Sequence, residues 1–115
     1  MEKKILLIGR EAPQAEVYQS ILRDEVSSKV NVIYLNNAFE NYIQYYNPDL
    51  IIATSGYHEP LIKDMKADKK LKHIPILLLS GFYTEEDFLN TAADDFMSKP
   101  IDIGIFIAKV KRLLR

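Results

Sequence analysis

The chain has 115 residues and almost balanced charge, with 15 Lys and Arg against 16 Asp and Glu. This length is typical of one domain, so we expect a single domain over residues 1–115. A net charge of −1 offers no long-range attraction for nucleic acid or membranes, and the absence of cysteine excludes disulfides, thiolate metal sites and a cysteine nucleophile. No apolar run approaches the roughly 20 residues of a membrane helix. We therefore expect a cytoplasmic domain that binds neither membranes nor nucleic acid on its own.

Short apolar stretches alternate with segments of helical spacing along the whole chain. Runs of four to eight apolar residues between Gly, Pro, Asn or Ser are typical of strands buried on both faces. Apolar residues three and four positions apart are typical of amphipathic helices. In chain order, the predicted strands are 5–9, 30–35, 49–54, 74–80 and 94–98, and the predicted helices are 14–26, 37–46, 60–71, 84–93 and 102–114.

The spacing also predicts which side chains face the core. In the first helix an inward stripe is expected of Val17, Tyr18, Ile21, Leu22 and Val26. In the second helix Tyr42 and Tyr46 are predicted to face inward and Tyr45 outward. The last helix is predicted to begin after an Asp102 N-cap, and Ile105 and Leu113 are apolar residues additional to its inward stripe. They either form an exposed apolar patch or pack at the end of the chain.

The alternation of strands and helices predicts an α/β domain with a parallel sheet and helices on both faces. Ligands of such sheets bind beyond the carboxyl ends of the strands. The candidate site residues are therefore those that end or follow the strands: Gly9, Arg10, Asn36, Thr54, Ser55, Ser80, Gly81 and Lys99.

Three stretches, PDLII (48–52), LKHIPILLLSG (71–81) and AADDFMSKP (92–100), together resemble the receiver domain of bacterial two-component response regulators. The resemblance extends over the whole chain. It implies a flavodoxin-like three-layer sandwich, with a five-stranded parallel sheet in the order 2-1-3-4-5 and helices on both faces. It also implies a role in signal transduction, in which an aspartate accepts phosphate from a histidine kinase with the help of Mg²⁺.

The acidic residues of that chemistry are replaced in this sequence. Gly9 and Arg10 stand where the family has its acidic metal-binding pair, and Thr54 stands where the family has its phosphoacceptor aspartate. The family's hydroxyl residue, lysine and switch aromatic are retained as Ser80, Lys99 and Phe96. Glu11 is the one acid left near this degenerate pocket, and a single carboxylate beside two cations is a poor Mg²⁺ site.

These replacements predict a pseudo-receiver that is not an enzyme and has no catalytic residue, cofactor or bound metal. It is expected to act by phosphorylation-independent contact with a signalling protein or with a second copy of itself. The predicted contact surface is the one that the family forms from its fourth helix, fifth strand and fifth helix. Here it includes Phe88, Phe96, Ile105 and Leu113.

Other interpretations stay open at this stage. Thr54 or Ser55 could be an unconventional phosphorylation site, or Arg10, Lys99, Thr54 and Ser80 could bind a small anion. Lys99 could instead be a relic that turns to solvent or pairs with Glu11, Glu59 or Asp102. A flavin domain is disfavoured because GREAPQ (9–14) is not a phosphate-binding loop. The lysine-rich stretch 63–73 is expected to be a solvated face, and His58 and His73 are expected to be surface residues.

Overall fold

The computed structural model describes residues 2–9, 12–34, 39–54, 59–81 and 92–115. Five strands alternate with helices along these residues. The strands are β1 (Ile5–Gly9), β2 (Val30–Tyr34), β3 (Leu50–Ala53), β4 (Ile76–Ser80) and β5 (Asp95–Ser98). The helices are α1 (Ala12–Glu25), α2 (Phe39–Tyr46), α3 (Glu59–Ala67) and the C-terminal helix (Ile103–Leu113). The helix predicted over 84–93 lies almost wholly outside the described residues.

The strands form one parallel sheet in the order β2-β1-β3-β4-β5. β1 lies between β2 and β3, where Ile5 pairs with Val30 on one side and with Leu50 on the other. β4 continues the sheet from β3, and β5 forms the far edge through the pairing of Ser80 with Ser98. The predicted flavodoxin-like fold and its strand order are therefore confirmed. All five carboxyl ends lie at one edge of the sheet.

Helices cover both faces of the sheet, because successive strand residues point to opposite sides. Ile5 and Leu7 of β1 belong to a core cluster that also holds Tyr18 and Leu22 of α1 and Phe106 of the C-terminal helix. The rings of Tyr18 and Phe106 lie 5.4 Å apart. On the other face the core cluster is formed by β1, α2, α3 and their neighbours and includes Leu6, Ile8, Ile43, Ile62 and Met65.

Several predicted side-chain positions are confirmed. The Asp102 carboxylate accepts a hydrogen bond from the Ile105 N–H at 2.9 Å, as expected of the N-cap. Tyr42 and Tyr46 pack against the core, whereas Tyr45 is 87% exposed. Helix α3 ends at Ala67, earlier than predicted, but Leu71 is still buried because the following turn folds back onto the sheet.

One predicted position is wrong, and one open alternative is decided. Val17 was expected in the inward stripe of α1 but is 57% exposed. Tyr18 and Leu22 define the buried side of that helix, and Val17 lies one residue, about 100° of helical rotation, away from Tyr18. For Leu113 the sequence left an exposed patch and packing at the end of the chain both open. Leu113 is partly buried and packs against the core beside Val110 and Leu114.

Within the described residues, no helix is both long and apolar enough to cross a membrane.

Candidate functional site

Thr54 follows β3 directly and is completely buried at the carboxyl edge of the sheet. Its main-chain N–H donates to the Ile8 carbonyl of the neighbouring strand at 2.8 Å, which extends the pairing of β1 and β3. Its side-chain Oγ1 donates to the same carbonyl oxygen at 3.0 Å. The hydroxyl proton is therefore directed into the sheet, and the side chain has no contact with solvent.

Lys99 reaches across this edge from the end of β5. Its Nζ donates to the main-chain carbonyl of Thr54 at 2.6 Å and to Oε1 of Gln14 at 2.7 Å. Its own main-chain N–H donates to the Ser80 carbonyl at 2.9 Å. The side chain thereby links β5 to β3 and to the first turns of α1. Both oxygens that accept from the ammonium in these bonds are neutral.

Ser80 ends β4 between these two residues and is 7% exposed. It pairs with Ser98 of β5, and the following Gly81 lies beside the Lys99 side chain: a Cβ added to Gly81 would be 3.9 Å from Cβ of Lys99. Gly9 ends β1 opposite Tyr34 and offers no side chain to the site. The structure thus brings Thr54, Ser80 and Lys99 to one edge, as predicted, with Gly9 at the end of the strand beside β3.

Several predicted residues cannot be placed. Arg10, Glu11, Ser55 and Phe88 lie outside the described residues, and so does His58. The Glu59 side chain is not described either. Phe96 is partly buried and packs against the core cluster on the α2 and α3 side of the sheet. His73 is exposed, as expected.

The structure shows whether the Lys99 side chain turns to solvent, which was one of the open interpretations. The expectation that a relic side chain turns to solvent is wrong, because the ammonium is engaged by oxygens of two other elements. Asp102, one of the suggested partners, caps the C-terminal helix through Ile105. Lys99 is therefore an integral part of the packed edge.

Gln14 is the site residue that sequence reasoning missed. It lies 85 positions from Lys99 in the chain, so no local pattern relates the two. A weak signal was available in α1, where Gln14 precedes Tyr18 by four residues and Leu22 by eight and is the polar member of that helical row. A polar side chain in such a row needs a hydrogen-bond partner, and Lys99 is one.

The amino ends of β4 and β5 hold a second cluster of charged residues. Nζ of Lys66 lies 2.7 Å from Oδ2 of Asp94 and also donates to the Ile74 carbonyl at 2.9 Å. The same Asp94 oxygen accepts the Ile76 N–H at 2.7 Å. The lysine-rich stretch was expected to be only a solvated face, but Lys66 joins α3 to the residues that precede β4 and β5.

Asp95, the first residue of β5, pairs with Lys109 and Arg112 of the C-terminal helix. Burial raises the pKa of its carboxyl, but the Phe96 N–H and the two cations outweigh burial and hold that pKa below its ordinary value of 3.8. Ile105 lies four residues before Lys109 and seven before Arg112, on the same side of the helix. Ile105 is 53% exposed, so the prediction that it is an exposed apolar residue is confirmed.

Among the described residues, no three His, Asp or Glu side chains come together as metal ligands. In the part of the carboxyl edge that the structure describes, the polar groups that converge include two hydroxyls, a main-chain carbonyl, an amide and an ammonium, which can bind one another by hydrogen bonds.

Comparison with known proteins points to one class. No family model matches the chain. The phosphate regulon transcriptional regulatory protein PhoB of Escherichia coli K12 is 29% identical over 122 residues, which cover all of this chain and 53% of the relative. PhoB of Klebsiella pneumoniae is similar to the same extent. The chain spans about half the length of the curated relatives it matches.

Solved structures agree. The receiver domain of a signal transduction histidine kinase from Syntrophus aciditrophicus is 29% identical, with a TM-score of 0.75 over 97% of this chain and 89% of that one. A response regulator from Desulfuromonas acetoxidans is 26% identical, with a TM-score of 0.77 over 97% and 96%. A receiver domain from Bermanella marisrubri, 19% identical with a TM-score of 0.82 over the whole of both chains, shows the fold alone. Together these similarities support a response-regulator receiver domain of two-component signalling, a class of signalling modules that are generally not enzymes.

Proposed function

We propose that this receiver domain is a pseudo-receiver, which signals by protein contact without being phosphorylated at the family's site. The observation that carries the proposal is Thr54, the completely buried residue at the position where the resemblance implies a phosphoacceptor aspartate. The proposal concerns this domain, whatever the activity of a longer protein that contains it.

The chemistry of phosphoryl transfer supports this proposal. A threonine hydroxyl is a weak nucleophile unless a neighbouring base removes its proton. The Thr54 hydroxyl donates to the Ile8 carbonyl, which cannot act as such a base, and the side chain is closed to solvent. A phosphoryl donor could reach the hydroxyl only if the buried side chain became exposed and its hydrogen bond to Ile8 broke.

The surroundings of Lys99 support it as well. In the family, this lysine binds the oxygens of the transferred phosphoryl group. Here the ammonium already has charge-assisted hydrogen bonds to the Thr54 carbonyl and the Gln14 amide, so it is stabilised without a phosphoryl group. Gly9 has no side chain with which to bind the Mg²⁺ that the family uses in phosphoryl transfer.

Protein contact is the function that we propose in place of phosphorylation. Among the described residues, exposed apolar side chains include Val17 and Ile103. Such side chains are suited to a partner protein, and we propose that the partner is a component of the signalling system or a second copy of the chain.

An amide NMR titration tests the proposal. Mg²⁺ is added to millimolar concentration, followed by beryllofluoride, which mimics a bound phosphoryl group. We expect no saturable shift of the amides of Thr54, Ser80 and Lys99. The positive control is the triple variant Gly9→Asp, Arg10→Asp, Thr54→Asp, which restores the acids that the family uses and for which we expect saturable shifts.

A saturable shift in the unaltered protein would contradict the proposal, because another acid would then have rebuilt the site. Intact-mass analysis after incubation with acetyl phosphate and Mg²⁺ gives an independent answer. No added phosphate is expected on the unaltered protein. An acid-stable addition at Thr54 or Ser55 would instead favour an unconventional phosphorylation site.

A further inference from the structure

A groove separates α1 from the C-terminal helix on their common face of the sheet. It is lined by Gln14, Val17, Tyr18, Ile101 and Ile103. Val17 is 57% exposed and Ile103 is 41% exposed, so apolar side chains stand on both sides of the groove. Tyr18 closes its floor by packing on Phe106. The apolar surface of this groove is therefore not covered by any part of the chain that the structure describes.

On each helix a charged residue follows the exposed apolar residue. The two charges are of opposite sign, negative on α1 and positive on the C-terminal helix. On α1, Val17, Ile21 and Asp24 follow one another at steps of four and three and lie in one row. On the C-terminal helix, Ile103, Ile107 and Lys111 form a second row at steps of four. Asp24 and Lys111 are exposed, and neither forms an ion pair among the described residues.

The two rows are matched in direction and length. All strands are parallel, and both helices return from the carboxyl edge of the sheet, so they run in the same direction. At about 1.5 Å per residue, Asp24 lies about 10 Å beyond Val17 and Lys111 lies about 12 Å beyond Ile103. The distance from the exposed apolar residue to the charge is therefore nearly equal on the two helices, and both apolar residues line the same groove.

This match makes the face complementary to itself. A two-fold axis parallel to the helices places α1 of one copy against the C-terminal helix of the other without reversing their direction. Val17 then meets Ile103 of the second copy, and Asp24 meets Lys111, each contact occurring twice. A two-fold axis perpendicular to the helices would instead oppose each helix to its own copy and bring the charge beside the apolar residue.

We propose that this α1 and C-terminal helix face is a homodimer interface, with Val17 and Ile103 at its centre and Asp24 and Lys111 at its rim. It differs from the surface predicted from the sequence, because Ile105 lies on the side of the C-terminal helix that pairs with Asp95. The proposal deepens the proposed function and rests on it in one respect: the dimer forms without phosphorylation.

The expected dimer is weak. Helices of 14 and 11 residues are about 21 and 16 Å long, so the face is smaller than the roughly 800 Å² per partner of a standard interface. Sedimentation velocity of the unmodified protein between about 10 µM and 1 mM, the range of weak association, is expected to show a concentration-dependent shift from monomer to dimer. A monomer throughout this range, both without and with Mg²⁺ and beryllofluoride, would overturn the proposal.

Two matched variants locate the interface. Val17→Asp places a carboxylate at the centre of the proposed contact, and we expect the dissociation constant to rise at least about tenfold. Ile105→Asp makes the same change at a residue of nearly equal exposure, 53%, on the other side, and we expect no change. The opposite pattern, with Ile105→Asp abolishing dimerisation, would assign the interface to the β5 side and overturn the proposal.

Charge exchange tests the two-fold arrangement. Asp24→Lys and Lys111→Asp are each expected to weaken dimerisation roughly two- to fivefold, and the double variant is expected to restore it. Failure of the double variant to recover would contradict this pairing. The same series is repeated with Mg²⁺ and beryllofluoride: a dimer at this face that forms only with beryllofluoride would contradict the proposed function while leaving the interface in place.

Discussion

The two ends of the sheet use lysine in contrasting ways. At the amino end, Lys66 meets the carboxylate of Asp94, and Asp95 meets Lys109 and Arg112. At the carboxyl end, where the resemblance to receiver domains implies a cluster of carboxylates, Lys99 donates to the neutral oxygens of Thr54 and Gln14. Among the described residues, the carboxylates that pair with cations are therefore those of Asp94 and Asp95, at the amino end of the sheet. The chemistry of the family takes place at the other end.

This contrast shows what holds each end together. Ion pairs between partly exposed side chains contribute little to stability, because water screens them and ordering the side chains costs entropy. Hydrogen bonds from an ammonium to oxygens in a half-buried setting contribute more, since an oxygen left without a donor there loses its solvation. We therefore expect the carboxyl end to depend on its lysine more strongly than the amino end does.

The largest effect is expected from Lys99→Met. The variant keeps the aliphatic stem but removes the donor to Thr54 and Gln14, and we expect the free energy of unfolding to fall by about 2 kcal/mol. Urea unfolding followed by circular dichroism measures it. Lys69→Met, at an exposed position in the lysine-rich stretch, is the control and should cost less than about 0.5 kcal/mol. Equal stability of the two variants would remove the contrast between the ends.

A pH series with Asp95→Asn tests the amino end, with an expected cost of about 1 kcal/mol at neutral pH. The pKa of Asp95 is lowered in the folded protein, so its contribution is present above its ordinary pKa of 3.8 and is lost as the pH falls through the folded-state pKa. The stability difference between the unaltered protein and the variant should be constant from about pH 5 to 7 and shrink below about pH 4. A difference that grows on acidification would mean that the ion pairs do not lower the pKa.

Lys66→Met is expected to cost about 0.5–1 kcal/mol, less than Lys99→Met. The Asp94 carboxylate keeps its hydrogen bond from the Ile76 N–H in the variant, so it is not left without a donor. Urea unfolding in low and high salt should show that the cost declines as salt screens the pair. A larger cost than that of Lys99→Met would reverse the comparison.

The smallest effect is expected from Thr54→Val, within about 0.5 kcal/mol. The Ile8 carbonyl still accepts the N–H of residue 54, and the valine methyl fills the place of the hydroxyl. Thr54→Ser is the matched control, since it keeps the hydroxyl and removes a buried methyl, at a cost of about 1 kcal/mol. If Thr54→Val were the more damaging change, the hydroxyl would have a structural role beyond this one hydrogen bond.

Sequence reasoning reached the fold because its signals are local. The apolar runs that became β1 and β4 and the helical spacing around Tyr18 and Phe106 can be recognised within a few residues. Once the strands were predicted, the residues at their carboxyl ends were known as well. Because these ends lie at one edge of a parallel sheet, Thr54, Ser80 and Lys99 were predicted to meet. The same reasoning placed Val17 in the core, because a stripe defined by spacing alone does not say how wide a helix face is buried.

The sequence by itself therefore determined the order of the elements, the parallel sheet and the absence of acids at Gly9 and Thr54. Only the tertiary structure decided that Lys99 binds Gln14, that Lys66 binds Asp94 and that Val17 borders an open groove. These contacts join residues 28 to 85 positions apart or depend on how two helices lie against one another. Such distances are set by the packing of the whole sheet, and no pattern within a single element encodes them.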